Sequence, residues 1–126
     1  VGRGNVINII DNKIGFNQFE YAAYLLAKKA LAEFTRMAAV EFAPHIRVNG
    51  VAPGVVMPAK TRSDAYVAWR IQGIPLQIQG KSDHIGQAIL SLLDNEVMTG
   101  QIIVVDGGES LTNVGQNAAQ FDQDQI

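Results

Sequence analysis

The sequence predicts an α/β fold built on a parallel sheet, and three observations carry that prediction. Short apolar runs rich in β-branched residues recur at positions 5–10, 46–52 and 101–105. A long helical pattern separates the first two runs, and shorter helical patterns separate the last two. Strands that alternate with helices pair in parallel through right-handed crossovers, because each helix returns the chain to the same end of the sheet.

Each element has its own signal. Residues 5–10, N-V-I-N-I-I, close at Asp11-Asn12-Lys13 and Gly15, as a buried parallel strand does. From about Glu20 to Phe42 the period becomes helical: Leu26, Ala30, Phe34, Met37 and Glu41 recur at three- and four-residue steps, with Leu31, Ala38 and Phe42 beside them. Pro44 stops that helix. Residues 46–52, I-R-V-N-G-V-A, read as a strand that ends at Pro53-Gly54, a pair unsuited to continuing a central ladder. Residues 63–72 predict a short amphipathic helix carrying Tyr66, Trp69 and Arg70, broken by Gly73-Ile74-Pro75. Ser82 is the expected N-cap of a further helix to about Asp94, since its hydroxyl can accept from the free N–H groups there. Residues 101–105, Q-I-I-V-V, form the last strand, ended by Asp106-Gly107-Gly108. Residues 1–112 are thus the folded unit. Residues 113–126, with Gln116, Asn117, Gln120, Asp122 and Gln123, leave almost nothing to bury and read as a mobile polar tail.

Composition bounds the function. With 126 residues, 48% of them hydrophobic, the chain has the size and apolar content of one small domain. Ten basic residues against twelve acidic ones, with no basic stripe, argue against nucleic acid as a partner. The absence of cysteine excludes disulfides and thiolate metal sites and fits a reducing compartment, so a cytoplasmic location is expected. No apolar run approaches the roughly 20 residues that a bilayer requires, so no membrane partner is expected. The opening Val1-Gly2-Arg3-Gly4 has no leader pattern, and the chain reads as a fragment or a processed product.

Ligands of open α/β sheets sit outside the carboxyl ends of the strands, which directs attention to Asp11 and to Pro53-Gly54. Tyr24 and Lys28 stand four apart on the first helix, hence on one face. An ammonium beside a phenol favours the phenolate and draws the tyrosine from its ordinary value near ~10 toward neutrality, where it exchanges protons efficiently. The same spacing also describes two solvated neighbours, and Asp11 also reads as a turn-forming residue after a strand. His45 and His84 stand far apart without an H-E-x-x-H pattern, so no metal site is expected. There is no G-x-S-x-G elbow, and Tyr66 with Trp69 reads as packing.

Taken in order, Tyr24-Leu-Leu-Ala-Lys28-Lys-Ala-Leu, Thr35-Arg36, Glu41, Pro44, Ile46-Arg-Val-Asn-Gly-Val-Ala-Pro-Gly54 and Val104-Val-Asp-Gly-Gly108 resemble the second half of short-chain dehydrogenases/reductases. The resemblance spans about Asn5 to Leu111. It implies the C-terminal portion of a Rossmann-like doubly wound parallel sheet and a nicotinamide-dependent oxidoreductase. It gives Tyr24 the role of proton donor or acceptor, and Lys28 the roles of lowering the tyrosine pKa and binding the nicotinamide ribose. It sets the backbone of Pro53, Gly54 and Val55 beside the nicotinamide. The serine that usually stands thirteen residues before the tyrosine is here Asp11, as in pteridine reductases, where the aspartate belongs to the proton supply. Ile74-Pro75-Leu76 and Gly108-Glu-Ser-Leu-Thr112 are also similar to that group. The implied cofactor is NADPH, NADH being the alternative, and the implied substrate is a small pterin or carbonyl compound. A 3-oxoacyl-thioester or general carbonyl reductase, and a non-catalytic piece serving in assembly, stay open beside it. Tyr21, six residues further from Lys28 than an adjacent pair, matches the enoyl-thioester reductase spacing of the same superfamily. The glycine-rich dinucleotide turn of the family does not occur in these residues, and the threonine often found after Pro-Gly is replaced by Val55-Val56-Met57. The family packs its tyrosine helix against a symmetry mate, so a homodimer, a homotetramer or pairing with an N-terminal half is expected, through residues 20–42.

Overall fold

The computed structural model describes residues 3–112 and Phe121; the polar tail expected over 113–126 otherwise lies outside the described residues. Three parallel strands form one sheet in the order β1-β2-β3: β1 is Gly4–Ile9, β2 is Ile46–Pro53 and β3 is Ile102–Val105. Helix α1, Ala22–Glu41, connects β1 to β2, while α2, Asp64–Gln72, and α3, Ser82–Asp94, lie between β2 and β3. The α/β class and the element order are those the sequence predicts.

The central strand organises the core. Val48, Val51 and Ala52 of β2 are buried, and α1 lays Ala32, Thr35, Ala38 and Ala39 toward the sheet. Ala38 and Ala39 cluster with Val48, while Ile10, Ala32 and Ala52 form a second cluster. These small side chains let the helix sit close to the strands, and the Thr35 hydroxyl accepts from Asn8 Nδ2 at 3.0 Å. The long apolar residues of α1 point the other way: Leu26, Phe34, Met37 and Val40 are exposed.

Strand β2 runs one residue further than the sequence predicts, since Pro53 pairs with Val105. Backbone groups of odd-numbered residues in β2 face β1, as the bond from Ile10 N to Val51 O shows, so the N–H that Pro53 lacks would point past the last β1 pair, Ile9 with Val51. Even-numbered residues face β3, and Gly54 N donates to Val105 O at 3.0 Å. Among the described residues β1 is the outer strand next to β2, with Val6 and Ile9 exposed.

Polar residues of β2 tie down the opposite end of the domain. Arg47 donates to the carbonyls of Leu92, Leu93 and Met98, satisfying acceptors that the end of α3 leaves free. Buried Asn49 donates to Met98 O and accepts from Gln101 N, fixing the entry to β3. Ser82 is the first residue of α3 rather than its cap. Lys81 holds the cap position, and its N–H donates to His84 Nδ1 at 2.9 Å, so an imidazole does the work expected of a hydroxyl. In α2 a serine does perform it, Ser63 Oγ accepting from Tyr66 N.

Candidate active site

The carboxyl ends of the strands open on a cleft of about 470 Å³, bordered by Asp11, Lys13, Tyr24, Gly54, Val55 and the N-terminal side of α2. Asp11 follows β1 and caps the 3₁₀ turn Asn12–Gly15, its Oδ1 accepting from Lys13 N at 2.7 Å. Its other oxygen, Oδ2, accepts from the Tyr24 hydroxyl at 2.5 Å. The turn-forming and the chemical readings of Asp11 are therefore both expressed, one through each oxygen.

Tyr24 sits in the first turn of α1 with its ring half exposed to the cleft. Lys28, one turn along, donates to the Ile9 carbonyl at 3.1 Å, at the end of β1. The local electrostatics differ from the expected phenolate-favouring pair. Burial, then the hydrogen bond to Asp11 and that carboxylate's charge, raise the Tyr24 hydroxyl well above its ordinary range. The proton is held on the tyrosine, poised between phenol oxygen and carboxylate, and Lys28 spends its charge on a backbone carbonyl.

Of the residues predicted for the site, Asp11, Tyr24, Gly54 and Val55 border the cleft together. Lys28 and Pro53 lie behind it, at the ends of β1 and β2. Tyr21 borders the cleft too, from the residue that precedes α1, so it is also within reach of a ligand. Gly54 is required by packing: a Cβ there would lie 2.7 Å from Asp106 Cβ.

Behind the cleft lies a polar cluster that the sequence did not reveal. Glu109, fully buried just after β3, accepts from Asn12 Nδ2 and Lys13 Nζ, each at 2.9 Å, and pairs with Arg70 of α2 at 3.1 Å. Asn12 also donates to Asp106 at 3.1 Å. Burial alone would raise the Glu109 pKa, but the hydrogen bonds from Asn12 and Lys13 and the charges of Lys13 and Arg70 outweigh it and hold the carboxyl below its ordinary range. Lys13 is pushed down, by burial first and by Arg70 second, with Glu109 opposing. The only sequence hint was a glutamate following Asp106-Gly107-Gly108; nothing in the chain order announces that it meets Lys13 across the fold.

Residues 2–110 match the family model described as Enoyl-(Acyl carrier protein) reductase. The chain belongs to the short-chain dehydrogenase/reductase family. It is 39% identical to carbonyl reductase family member 4 of Danio rerio over 85% of this chain and 44% of that protein. It is 34% identical to pteridine reductase 1 of Leishmania tarentolae over 86% of this chain and 39% of that protein. The crystal structure of FolM alternative dihydrofolate reductase 1 from Brucella suis in complex with NADP superposes with a TM-score of 0.81 at 34% identity, covering 88% of this chain and 45% of that one. The chain thus spans less than half the length of these three proteins. Among the described residues no helix is long and apolar enough to cross a membrane, and no three His, Cys, Asp or Glu side chains gather as a metal site.

Proposed function

We propose that this chain supplies the catalytic half of an NADPH-dependent, pteridine reductase-like enzyme. The observation that carries the reading is the direct hydrogen bond from the Tyr24 hydroxyl to the Asp11 carboxylate at the mouth of the cleft. A tyrosine held by a carboxylate can deliver a proton to a C=N nitrogen or a carbonyl oxygen and regain one from the solvent that reaches its half-exposed ring. Bound nicotinamide would supply the hydride. The residues present suit that group: Gly54 and Val55 border the cleft, and the Lys28 ammonium lies at the end of β1 where it can leave a carbonyl for ribose hydroxyls. The NADP held by FolM of Brucella suis supports NADPH as the cofactor. Asp11 at the usual serine position favours a pterin-type substrate over a simple ketone.

The likeness to a carbonyl reductase supports a second reading, reduction of a carbonyl or 3-oxoacyl substrate by the same Tyr24. A panel of pterins and ketones assayed with the intact protein and its Asp11→Ser variant separates the two. Loss of pterin reduction with ketone turnover kept or raised supports the first; equal profiles make Asp11 a turn residue only. In the same assay Tyr24→Phe abolishes turnover and leaves NADPH affinity nearly intact, and wild-type turnover by that variant removes Tyr24 from the mechanism.

A further inference from the structure

The cleft holds more positive charge than this chemistry uses. Arg62, in the segment leading into α2, borders the cleft and places its guanidinium 4.6 Å from the centre of the Tyr66 ring. It is exposed, and the ion pairs among the described residues are those of Lys13 and Arg70 with Glu109 and of Arg36 with Glu33, so Arg62 has no carboxylate partner among them. The Tyr66 ring anchors it, and Tyr66 is itself buried, its hydroxyl accepting from Arg70 Nη1 at 3.3 Å. Lys13 and Arg70 are balanced by Glu109 and by Asp106, which Asn12 ties to the same cluster, so no cation there is left over for a ligand. The ring carries a cation at its face and another at its hydroxyl. An arginine held in place over an aromatic ring, with no acceptor for its N–H donors among the described residues, is pre-organised for an oxyanion.

We propose that Arg62 determines substrate specificity in this cleft by binding a carboxylate carried on the substrate. One uncommitted guanidinium matches a monoanion, whose two oxygens fit its fork; a doubly charged phosphate would call for a second free cation. The inference rests on reading the cleft as the substrate site of a reductase, and it adds the charge class of the substrate. Arg62 is a binding residue here and takes no part in proton transfer.

The test is equilibrium calorimetry on the intact protein with two matched pairs of probes: pterin-6-carboxylate against 6-hydroxymethylpterin, and 4-carboxybenzaldehyde against 4-hydroxymethylbenzaldehyde. The wild type binds the carboxylate member of a pair more tightly. Arg62→Gln weakens that member about ten-fold and leaves the neutral one within about two-fold, the usual worth of a charge-assisted hydrogen bond at a partly open site. Arg62→Lys, which keeps the charge but not the fork, keeps only part of the preference. Since Arg62 is exposed, unchanged affinity for the neutral probe also verifies that the variant is folded. A carboxylate preference confined to the benzaldehydes upholds the role of Arg62 while removing the pterin reading. Equal affinity for both members of each pair in the wild type overturns the proposal. So does a loss in Arg62→Gln that falls on both members alike, or on NADPH with the carboxylate affinity unchanged.

Discussion

Replacing Glu109 with glutamine removes one charge, conserves the shape and leaves two cations stranded. The carboxylate is fully buried and holds Lys13 at 2.9 Å and Arg70 at 3.1 Å, both of whose side chains are about nine-tenths buried. Breaking a buried pair by deleting one partner costs about 3–5 kcal/mol, because the remaining charge is neither solvated nor matched. Against a total stability of roughly 5–15 kcal/mol, that is a large fraction. The sign of the pH dependence follows from Lys13, whose folded pKa already lies below its unfolded value. Between those two values the unfolded state binds more protons, so stability rises with pH. Without Glu109 the folded value drops further, the window widens downward, and the variant regains more stability on going from neutral pH toward pH ~10 than the wild type does. On the acid side the order reverses. The wild type loses the contribution of Glu109 as pH falls from about 4.3 through the lower folded value, and the variant has no such contribution to lose. Urea unfolding followed by far-ultraviolet circular dichroism at several pH values measures all of this. A loss under about 1 kcal/mol at pH 7, or a loss that does not shrink toward alkaline pH, would refute the argument that unpaired charge is the cause.

Other perturbations test other parts of the structure. Asp11→Asn removes the carboxylate that helps raise the Tyr24 hydroxyl, so the midpoint for Tyr24, isolated as the difference from a Tyr24→Phe control in an ultraviolet titration, moves down; an unmoved midpoint means burial alone sets it. Gly54→Ala forces a Cβ to within 2.7 Å of Asp106 Cβ, and the repulsion should cost about 1–3 kcal/mol in thermal unfolding, whereas a neutral effect would show that the two strand ends can part freely. Leu26→Glu combined with Met37→Glu charges the outward apolar face of α1, and sedimentation should then show a smaller assembly than the wild type with helical content unchanged; identical sedimentation removes that face from any subunit contact.

The fold was legible because its signals are local. Three β-branched runs and their intervening helical periods sit in chain order, and the loops after Ile10 and Ala52 pointed to Asp11 and Gly54 without any knowledge of long-range contacts. Tyr24 and Asp11 could be named from spacing and resemblance, yet their mutual hydrogen bond could not, since it depends on how the 3₁₀ turn aims the carboxylate. The same limit explains the electrostatics: spacing put Lys28 beside Tyr24, while the fold offered its ammonium the Ile9 carbonyl. Glu109 was invisible for a stronger reason. Its partners come from the turn after β1 and from α2, and only the assembled fold brings them together. Pro53 shows a rule applied one residue too strictly, because a proline is excluded from a ladder only where its missing N–H would face a neighbour.

The two oxygens of Asp11 do two jobs. One shapes the backbone of the turn and the other meets the Tyr24 hydroxyl, so a single side chain serves two masters. A serine at this position offers one oxygen in place of two and must make both contacts, if at all, from a single point. Exchanging one residue for the other would therefore alter the contact to Tyr24 and the shape of the turn in the same step. Loop conformation and the environment of the Tyr24 hydroxyl are coupled at this corner through one side chain.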